Sequence, residues 1–285
     1  MNKKKVILVS GTSGQLGKTL VELQEQYRDL YDFIFLSRPE FDLRDSQRIE
    51  KAFSNTKPDI FFNFAAYTQV DKAEEQQKEA FLINENACSV MARQCARHNC
   101  YLIHVSTDYV YSGVGPDAFK ESDSCNPINV YGKSKLAGEK VILEHCSSAA
   151  IIRTSWLYSR HRNNFVKSMI RLGHERDVLN IVNDQIGSPT WTEDLIHAIF
   201  ALIEKRCYGI YNYSNEGSCT WYEFAKSIMM LKHIDCVVNP ISSSDFPTAA
   251  KRPPFSLMDK TKITQHTGIS IPDWRESLKK ALQGF

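Results

Sequence analysis

A strand, a glycine-rich turn and a helix follow one another at the start of the chain, and this order constrains the fold most strongly. Residues 5–10 are an apolar run of strand length, and residues 16–23 carry leucines on one helical face. Three regularly spaced glycines lie between or within them: Gly11, Gly14 and Gly17. Such a turn places unpaired helix N-terminal amides where a pyrophosphate can bind. We predict a dinucleotide site here that also includes Gln15 and Leu16, with a simple tight turn as the alternative because the spacing is not G-x-G-x-x-G.

Strands and helices continue to alternate through the first half of the chain. Apolar runs predict further strands at residues 33–36, 60–64, 101–105 and 150–153. This alternation indicates right-handed βαβ units and a parallel sheet. We therefore predict an α/β fold, a Rossmann-like doubly wound parallel sheet with a smaller C-terminal α/β substrate domain. The predicted domains are residues 1–155 and 156–285, with a segment of about 176–215 returning to the first sheet.

Two sequence patterns predict where particular helices begin. Asp71 and Glu74 have the spacing of a capping box, so we expect them to open a long helix that runs toward His98. Thr220 and Glu223 have the same form and are expected to start a helix in the C-terminal third. Capping is the preferred explanation for the Asp71 and Glu74 carboxylates, ahead of a catalytic role.

Composition excludes several classes of protein. The 285 residues include 35 basic and 33 acidic side chains spread along the chain, for a net charge of +2, so we expect no nucleic-acid or membrane-surface partner. No apolar segment approaches the ~20 residues of a membrane span. The eight cysteines are scattered without a C-x-x-C pair, which indicates reduced thiols and a cytoplasmic protein. The histidines show no metal-binding spacing, so we predict no metal site.

The end of the second strand indicates which dinucleotide binds. An acidic residue there would bond the ribose 2′-hydroxyl of NAD, but the chain has Ser37 and Arg38. A hydroxyl and a guanidinium suit a 2′-phosphate, so we favour NADPH, with NADH possible and with Arg38 as a plain surface charge in the alternative. Asp42 and Leu43 are expected to border the adenine. Small residues after the third strand let the backbone approach the cofactor, and the residues expected to contact it are Ala65, Ala66 and Tyr67.

A tyrosine and a lysine spaced four residues apart, Tyr131 and Lys135, are the predicted catalytic pair. On a helix they share one face, and a fixed positive charge beside a phenol lowers its pKa toward neutral pH. With 12 tyrosines and 35 basic residues in the chain, chance gives about 1.5 such pairs, so the spacing alone is weak. Thr107 strengthens the prediction, because it lies at the carboxyl end of the fourth strand, where ligands of parallel sheets bind.

These motifs together resemble the extended short-chain dehydrogenase/reductases and, in finer detail, the dTDP-4-dehydrorhamnose reductases. The likeness spans most of the chain up to about Asp194 and is looser beyond it. The most similar strings are Gly14-Gln15-Leu16-Gly17, Val70-Asp71-Lys72-Ala73-Glu74, Asn129-Val130-Tyr131-Gly132, Arg153-Thr154-Ser155-Trp156 and Val182-Asn183-Asp184-Gln185.

The resemblance implies reduction of the C4 ketone of dTDP-4-dehydro-L-rhamnose to give dTDP-L-rhamnose. Tyr131 would donate the proton, Thr107 would hydrogen-bond the same oxygen, and Lys135 would hold the nicotinamide ribose and tune Tyr131. The expected partner is a nucleotide-sugar, and a homodimer is possible. The residues expected to bind the substrate, besides Thr107, are Asp108, Trp156, Gln185 and Arg252. For Arg252 a clamp on the nucleotide diphosphate and a solvent-facing position are both open.

Departures from the family pattern leave other functions open. Many relatives have an acidic residue in place of Ser37, and some have a glutamate in place of Thr19 that is associated with a magnesium ion between subunits. Dehydratases of the superfamily need a glutamate where this chain has Tyr109, and epimerase-reductases need a cysteine close to Thr107, so both activities are disfavoured. A reductase of another nucleotide-sugar, or a non-catalytic regulatory subunit resembling that of methionine adenosyltransferase, remains possible.

Overall fold

The apolar runs of the N-terminal half pair side by side as strands of one parallel sheet. The computed structural model describes residues 3–285. Six strands pair in the order β2-β1-β3-β4-β5-β10, with every pair parallel. They are β1 (Lys5–Ser10), β2 (Tyr31–Phe35), β3 (Ile60–Asn63), β4 (Tyr101–Thr107), β5 (Ala149–Thr154) and β10 (Gly209–Tyr213). The remaining strands are β6 (Leu157–Tyr158), β7 (Val178–Val182), β8 (Ile186–Gly187), β9 (Thr190–Trp191), β11 (Cys219–Thr220) and β12 (Val237–Ile241).

Helices cover both faces of this sheet. They are α1 (Gln15–Leu23), α2 (Ser46–Thr56), α3 (Val70–Glu75), α4 (Gln77–Phe81), α5 (Ala87–Arg97), α6 (Val130–His145), α7 (Phe165–Glu175), α8 (Thr192–Glu204), α9 (Trp221–Lys232), α10 (Thr261–Thr267) and α11 (Trp274–Ala281). Alternate strand side chains such as Phe61 and Phe62 pack against α2, α5 and α6 on one face and α1, α8 and α10 on the other. Burial on both faces explains the continuous apolar runs, and the predicted doubly wound α/β fold is confirmed.

The predicted capping box at Asp71 and Glu74 is wrong, although the one at Thr220 and Glu223 forms. Helix α3 has Gln69 at its N-cap and ends at Glu75, before a separate run of α4, a π-helical turn at Leu82–Asn86, and α5. The Asp71 carboxylate instead accepts from the Ala250 amide, and Glu74 accepts from the Val130 amide at 2.9 Å. Both carboxylates therefore tie α3 to other segments, a use that their local spacing does not reveal.

Three small sheets and their helices form the C-terminal part. The strand pairs are β7 with β12 and β6 with β9, both parallel, and β8 with β11, which is antiparallel. Helices α7, α9 and α11 pack around a buried cluster that includes Phe224 and Trp274. Within the segment predicted to return to the main sheet, β10 pairs with β5 and α8 packs on α1, whereas β7 pairs with β12. The boundary at residue 155 remains a prediction.

The direction of the chain reverses at one place in the main sheet, and this positions a crevice. β1 lies between β2 and β3, so the chain moves outward in opposite directions from it. Ligands of open α/β sheets bind beyond the carboxyl ends of the strands at such a switch point. Gly11 follows β1 there, and Ala65 lies just beyond the end of β3. Among residues 3–285 no helix is both long and apolar enough to cross a membrane, and all eight cysteines are free thiols.

Candidate active site

A cleft of about 750 Å³ runs along the carboxyl ends of the main-sheet strands and reaches the C-terminal part. Every residue predicted for the cofactor, catalytic or substrate site lines this cleft except Gly17, Gln185 and Arg252. The residues therefore come together from segments separated by more than a hundred positions in the sequence. Their convergence follows from the parallel sheet, which places successive strand ends at one edge.

The glycine turn forms a close backbone cradle at one end of the cleft. Gly11 has φ +69°, and a Cβ there would lie 2.5 Å from the carbonyl carbon of Phe64. Gly14 is the N-cap of α1 and has no side-chain cap, so the first amides of the helix remain available to an anion. A Cβ on Gly17 would lie 2.5 Å from the Gly11 oxygen. Gly17 therefore allows the helix to pack on the turn rather than lining the cleft.

Arg162 adds a positive charge to this end of the cleft. Its Nε donates to the carbonyl oxygen of Ser13 at 2.6 Å, and the residue lines the cleft beside the glycine turn. The sequence gives no signal for Arg162, because this residue lies 149 positions away from Ser13 in a segment without a recognisable motif. An arginine next to free helix N-terminal amides suits a diphosphate.

Ser37 and Arg38 line the cleft end near β2, and Ser37 contacts an acidic residue, Glu40, that the sequence did not indicate. The Glu40 carboxylate accepts hydrogen bonds from the Ser37 hydroxyl at 2.5 Å and from the Ser37 amide at 2.8 Å. These bonds lower the pKa of Glu40, which is therefore ionised at neutral pH. Arg44 also lines the cleft and pairs with Glu79. This end thus offers cations for a phosphate, but Glu40 occupies both donors of Ser37.

Asn129 fixes the start of α6 and so the position of Tyr131. Its side chain accepts from the Gly132 amide at 2.8 Å and donates to the Lys251 carbonyl at 2.9 Å. Tyr131 consequently lies in the first turn of α6, where its phenol faces Thr107 at the end of β4. The predicted Thr-Tyr-Lys set therefore lies within one cleft.

The expectation that Lys135 lowers the pKa of Tyr131 is wrong. Burial raises that pKa, and Lys135 is not among the groups that act on it. Lys135 Nζ donates to the Val105 carbonyl at 2.7 Å and lies 3.2 Å from His104 Nε2, so its charge is held against the sheet. Burial also lowers the pKa of Lys135. Tyr131 therefore keeps its proton at neutral pH, as a proton donor must.

Asp108 is a buried carboxyl group in the floor of the cleft. Its side chain is 3% exposed, and Oδ1 accepts a hydrogen bond from the Thr107 hydroxyl at 3.0 Å. The second oxygen, Oδ2, is buried without a hydrogen-bond partner. Burial raises the pKa of Asp108 to about 7, although nearby hydroxyls and amides act in the opposite direction.

Trp156 lines the cleft as predicted and is held by a second tryptophan. Trp156 has φ +48°, and its ring stacks on Trp221 with centroids 3.6 Å apart. The Trp221 Nε1 donates to Gln185 Oε1 at 3.2 Å, so Gln185 supports the stack from behind instead of lining the cleft. In the sequence, Trp221 is notable only for its place between Thr220 and Glu223 at a predicted helix start. Its contribution to the cleft depends on tertiary packing.

Arg252 is only partly exposed and does not line the cleft, and its role as a diphosphate clamp stays a prediction. Its side chain is 21% exposed and pairs with Asp71 at 2.5 Å, close to Tyr109, which itself lines the cleft. Thr19, at the position linked to magnesium in some relatives, hydrogen-bonds the Thr192 hydroxyl at 2.9 Å. Within residues 3–285 no group of three His, Cys, Asp or Glu side chains is arranged to hold a metal ion.

Known relatives share this fold along almost their whole length. The family model described as "RmlD substrate binding domain" matches residues 4–285. A dTDP-4-dehydrorhamnose reductase from Aggregatibacter actinomycetemcomitans is 38% identical over 286 residues, covering 96% of this chain and 97% of the relative. The one from Escherichia coli is 35% identical over 288 residues, covering 97% and 96%. The Bacillus anthracis dTDP-4-dehydrorhamnose reductase structure in complex with NADP has a TM-score of 0.95 at 37% identity, covering 99% and 100%.

The fold, the cleft and these matches define the class of protein. It is an NAD(P)H-dependent oxidoreductase of the Rossmann type. The chain belongs to the dTDP-4-dehydrorhamnose reductase family, as its motifs predicted.

Proposed function

We propose that the protein uses NADPH to reduce the C4 ketone of dTDP-4-dehydro-L-rhamnose to dTDP-L-rhamnose, in nucleotide-sugar and cell-surface polysaccharide biosynthesis. One observation carries the proposal: Tyr131 and Thr107 face each other in the same cleft as the Gly11 turn. A proton donor next to a dinucleotide cradle is what carbonyl reduction requires. Full-length similarity to dTDP-4-dehydrorhamnose reductases supports the choice of sugar.

The residues present fit a dinucleotide. The Gly11 turn, the free amides at the start of α1 and Arg162 would hold the diphosphate. Arg38 would contact a ribose 2′-phosphate, which favours NADPH over NADH. Ala65 lines the same cleft as Tyr131 and would let the nicotinamide end approach. When bound, the nicotinamide supplies the hydride; the chain itself supplies the proton and the electrostatics.

Tyr131 would protonate the C4 oxygen as it acquires negative charge. Because burial raises its pKa, the phenol keeps its proton until a strongly basic oxygen forms. The Thr107 hydroxyl would donate a hydrogen bond to the same oxygen and stabilise the developing charge. The Lys135 ammonium, buried within the protein, would hold the nicotinamide ribose.

The sugar would lie between Tyr131 and Trp156. An aromatic face packs well on the apolar side of a deoxysugar, and the stack with Trp221 fixes which face of Trp156 is available. Arg252 would reach the nucleotide diphosphate only by exchanging Asp71 for a phosphate oxygen. We expect the enzyme to act in the cytoplasm.

The proposal is tested by following NADPH oxidation by absorbance with dTDP-4-dehydrorhamnose as substrate. Turnover should require the 4-keto sugar, and Tyr131→Phe should lower kcat by about 10² to 10⁴ while NADPH still binds. The matched control is Tyr208→Phe, an exposed tyrosine that does not line the cleft. No oxidation with this sugar, but oxidation with another 4-keto nucleotide-sugar, would redirect the substrate. NADPH binding with no turnover of any nucleotide-sugar would favour the regulatory-subunit alternative.

A further inference from the structure

The Thr107 hydroxyl has one proton, and the structure directs it away from the substrate. Thr107 Oγ1 donates to Asp108 Oδ1 at 3.0 Å and accepts from the Tyr109 amide at 3.2 Å. A hydroxyl that donates its only proton to a carboxylate has only lone pairs left for a third partner. Lone pairs would repel the oxygen of a ketone that is gaining negative charge. With an ionised Asp108, Thr107 therefore works against reduction.

The surroundings of Asp108 favour a protonated carboxyl group. The side chain is 3% exposed and Oδ2 has no partner. The groups facing it are Tyr109 from its own segment, Tyr131 from α6 and the Ser256 hydroxyl from the C-terminal part. Arg252, the nearest cation that acts on Tyr109, is paired with Asp71. Burial consequently raises the pKa of Asp108 to about 7.

We propose that Asp108 is a positioning residue that acts in its protonated form, donating to Thr107 Oγ1 and thereby turning the Thr107 proton toward the C4 oxygen of the substrate. The inference rests on the proposed reductase function and adds a residue to it. Hydride adds to C4 and the carbonyl π electrons move onto oxygen, which takes the proton of Tyr131. The proton on Asp108 stays where it is, so no further reactant is needed.

The two forms of Asp108 give opposite orientations of the Thr107 hydroxyl. As pH rises through the pKa of Asp108, the carboxylate draws the Thr107 proton back and the ketone oxygen loses its donor. An asparagine at this position has the same shape, and its amide nitrogen is a permanent donor to Thr107. Asp108→Asn should therefore reproduce the active form at every pH. Asp108→Ala should leave the Thr107 hydroxyl without the side chain that orients its proton.

The first test is the pH dependence of kcat/KM for dTDP-4-dehydrorhamnose. The wild type should lose activity above a pH of about 7, by about tenfold per unit. Asp108→Asn should abolish this decline and exceed the wild type at alkaline pH, and Asp108→Ala should be low throughout. Thr107→Val removes the hydroxyl and should lose activity with no pH decline of its own. An Asp108→Asn variant as inactive as Asp108→Ala, or one that keeps the wild-type decline, overturns the inference.

The second test reads the protonation of Asp108 without turnover. Because burial raises the pKa from 3.8 to about 7, ionisation of Asp108 destabilises only the folded chain. The melting temperature of Asp108→Asn minus that of the wild type should therefore increase as pH rises from about 4 to about 7 and then stay constant. A difference that does not change with pH overturns the inference. Because this measurement needs no turnover, its result does not depend on whether the proposed function holds.

Discussion

The Lys135 ammonium lies 3.2 Å from the His104 imidazole, Nζ to Nε2, within the interior of the sheet. An ammonium has only donors, so Nε2 accepts and the ring proton is on Nδ1. Nδ1 is 2.9 Å from the Asn63 amide group, which in turn contacts the Ser10 hydroxyl at 3.0 Å. The structure places Asn63 Nδ2 toward His104 and Oδ1 toward Ser10. Every donor is paired when this amide is turned over, so that its oxygen accepts from His104 and its nitrogen donates to Ser10. His104 therefore holds Lys135 from within the sheet.

We predict that Lys135 needs a hydrogen-bond acceptor at position 104 and does not need a side chain of the size of histidine. His104→Met leaves the buried ammonium short of one acceptor and should lower kcat/KM by about tenfold to a hundredfold, since a lost hydrogen bond to a charged group costs about 1.5–3 kcal/mol. His104→Gln restores an acceptor oxygen and should recover most of the loss. Steady-state kinetics with NADPH as the varied substrate measure this.

The matched control for that comparison is His145→Gln, a partly exposed histidine at the end of α6. It should leave kinetics unchanged. Equal losses in His104→Met and His104→Gln would show that the imidazole ring itself, and not an acceptor, is needed.

His104 also predicts a pH dependence of stability. Burial, and then the Lys135 charge, hold its pKa well below 6.5, so the folded chain keeps His104 neutral while the unfolded chain protonates it. The unfolded state thus binds more protons below pH 6.5, and this contribution to stability is lost as pH falls, by about 1.4 kcal/mol per unit. The unfolding free energy of His104→Gln minus that of the wild type should therefore rise by that slope as pH falls below 6.5. Contributions from other titrating groups, Asp108 among them, cancel in this difference. A difference independent of pH would contradict a neutral buried imidazole.

Glu40 should weaken the preference for NADPH. Its carboxylate holds both donors of Ser37 and is ionised because those bonds lower its pKa. A 2′-phosphate must displace it and meets its charge, whereas a 2′-hydroxyl does not. Glu40→Gln should therefore tighten NADPH binding severalfold and change NADH binding little, as measured by fluorescence titration, with less effect at high salt. Glu50→Gln, on the exposed side of α2, is the control; an unchanged ratio of the two affinities would refute the role of Glu40.

The sequence was sufficient for features that depend on chain order. A strand followed by a glycine turn and alternating elements predicts a parallel sheet, and the sheet brings Thr107 and Tyr131 to one edge. The sequence did not predict the direction of a long side chain such as that of Lys135. Tyr131 and Lys135 do share a helical face, but Lys135 finds its acceptors in β4. Burial therefore raises the pKa of the Tyr131 phenol, and Lys135 does not lower it.

The two predicted capping boxes had different outcomes because tertiary contacts compete for the polar groups of only one of them. Thr220 and Glu223 form their capping box, whereas Asp71 and Glu74 are taken by partners from other segments. A local motif predicts structure only where tertiary contacts do not compete for its polar groups. Arg162 and Trp221 were missed because their role in the cleft depends entirely on such contacts.

The stack between Trp156 and Trp221 should determine binding of the sugar but not of the dinucleotide. Trp221 covers one face of Trp156 at a centroid distance of 3.6 Å and is anchored by Gln185. Trp221→Ala frees Trp156 to reorient and should raise KM for the nucleotide-sugar by about two- to tenfold, the equivalent of about 0.5–1.5 kcal/mol for an aromatic pair. Trp221→Phe keeps a ring and should lose less. The Kd for NADPH should stay unchanged in both variants, and a parallel loss of NADPH affinity would mean that Trp221 supports the whole cleft rather than the sugar end.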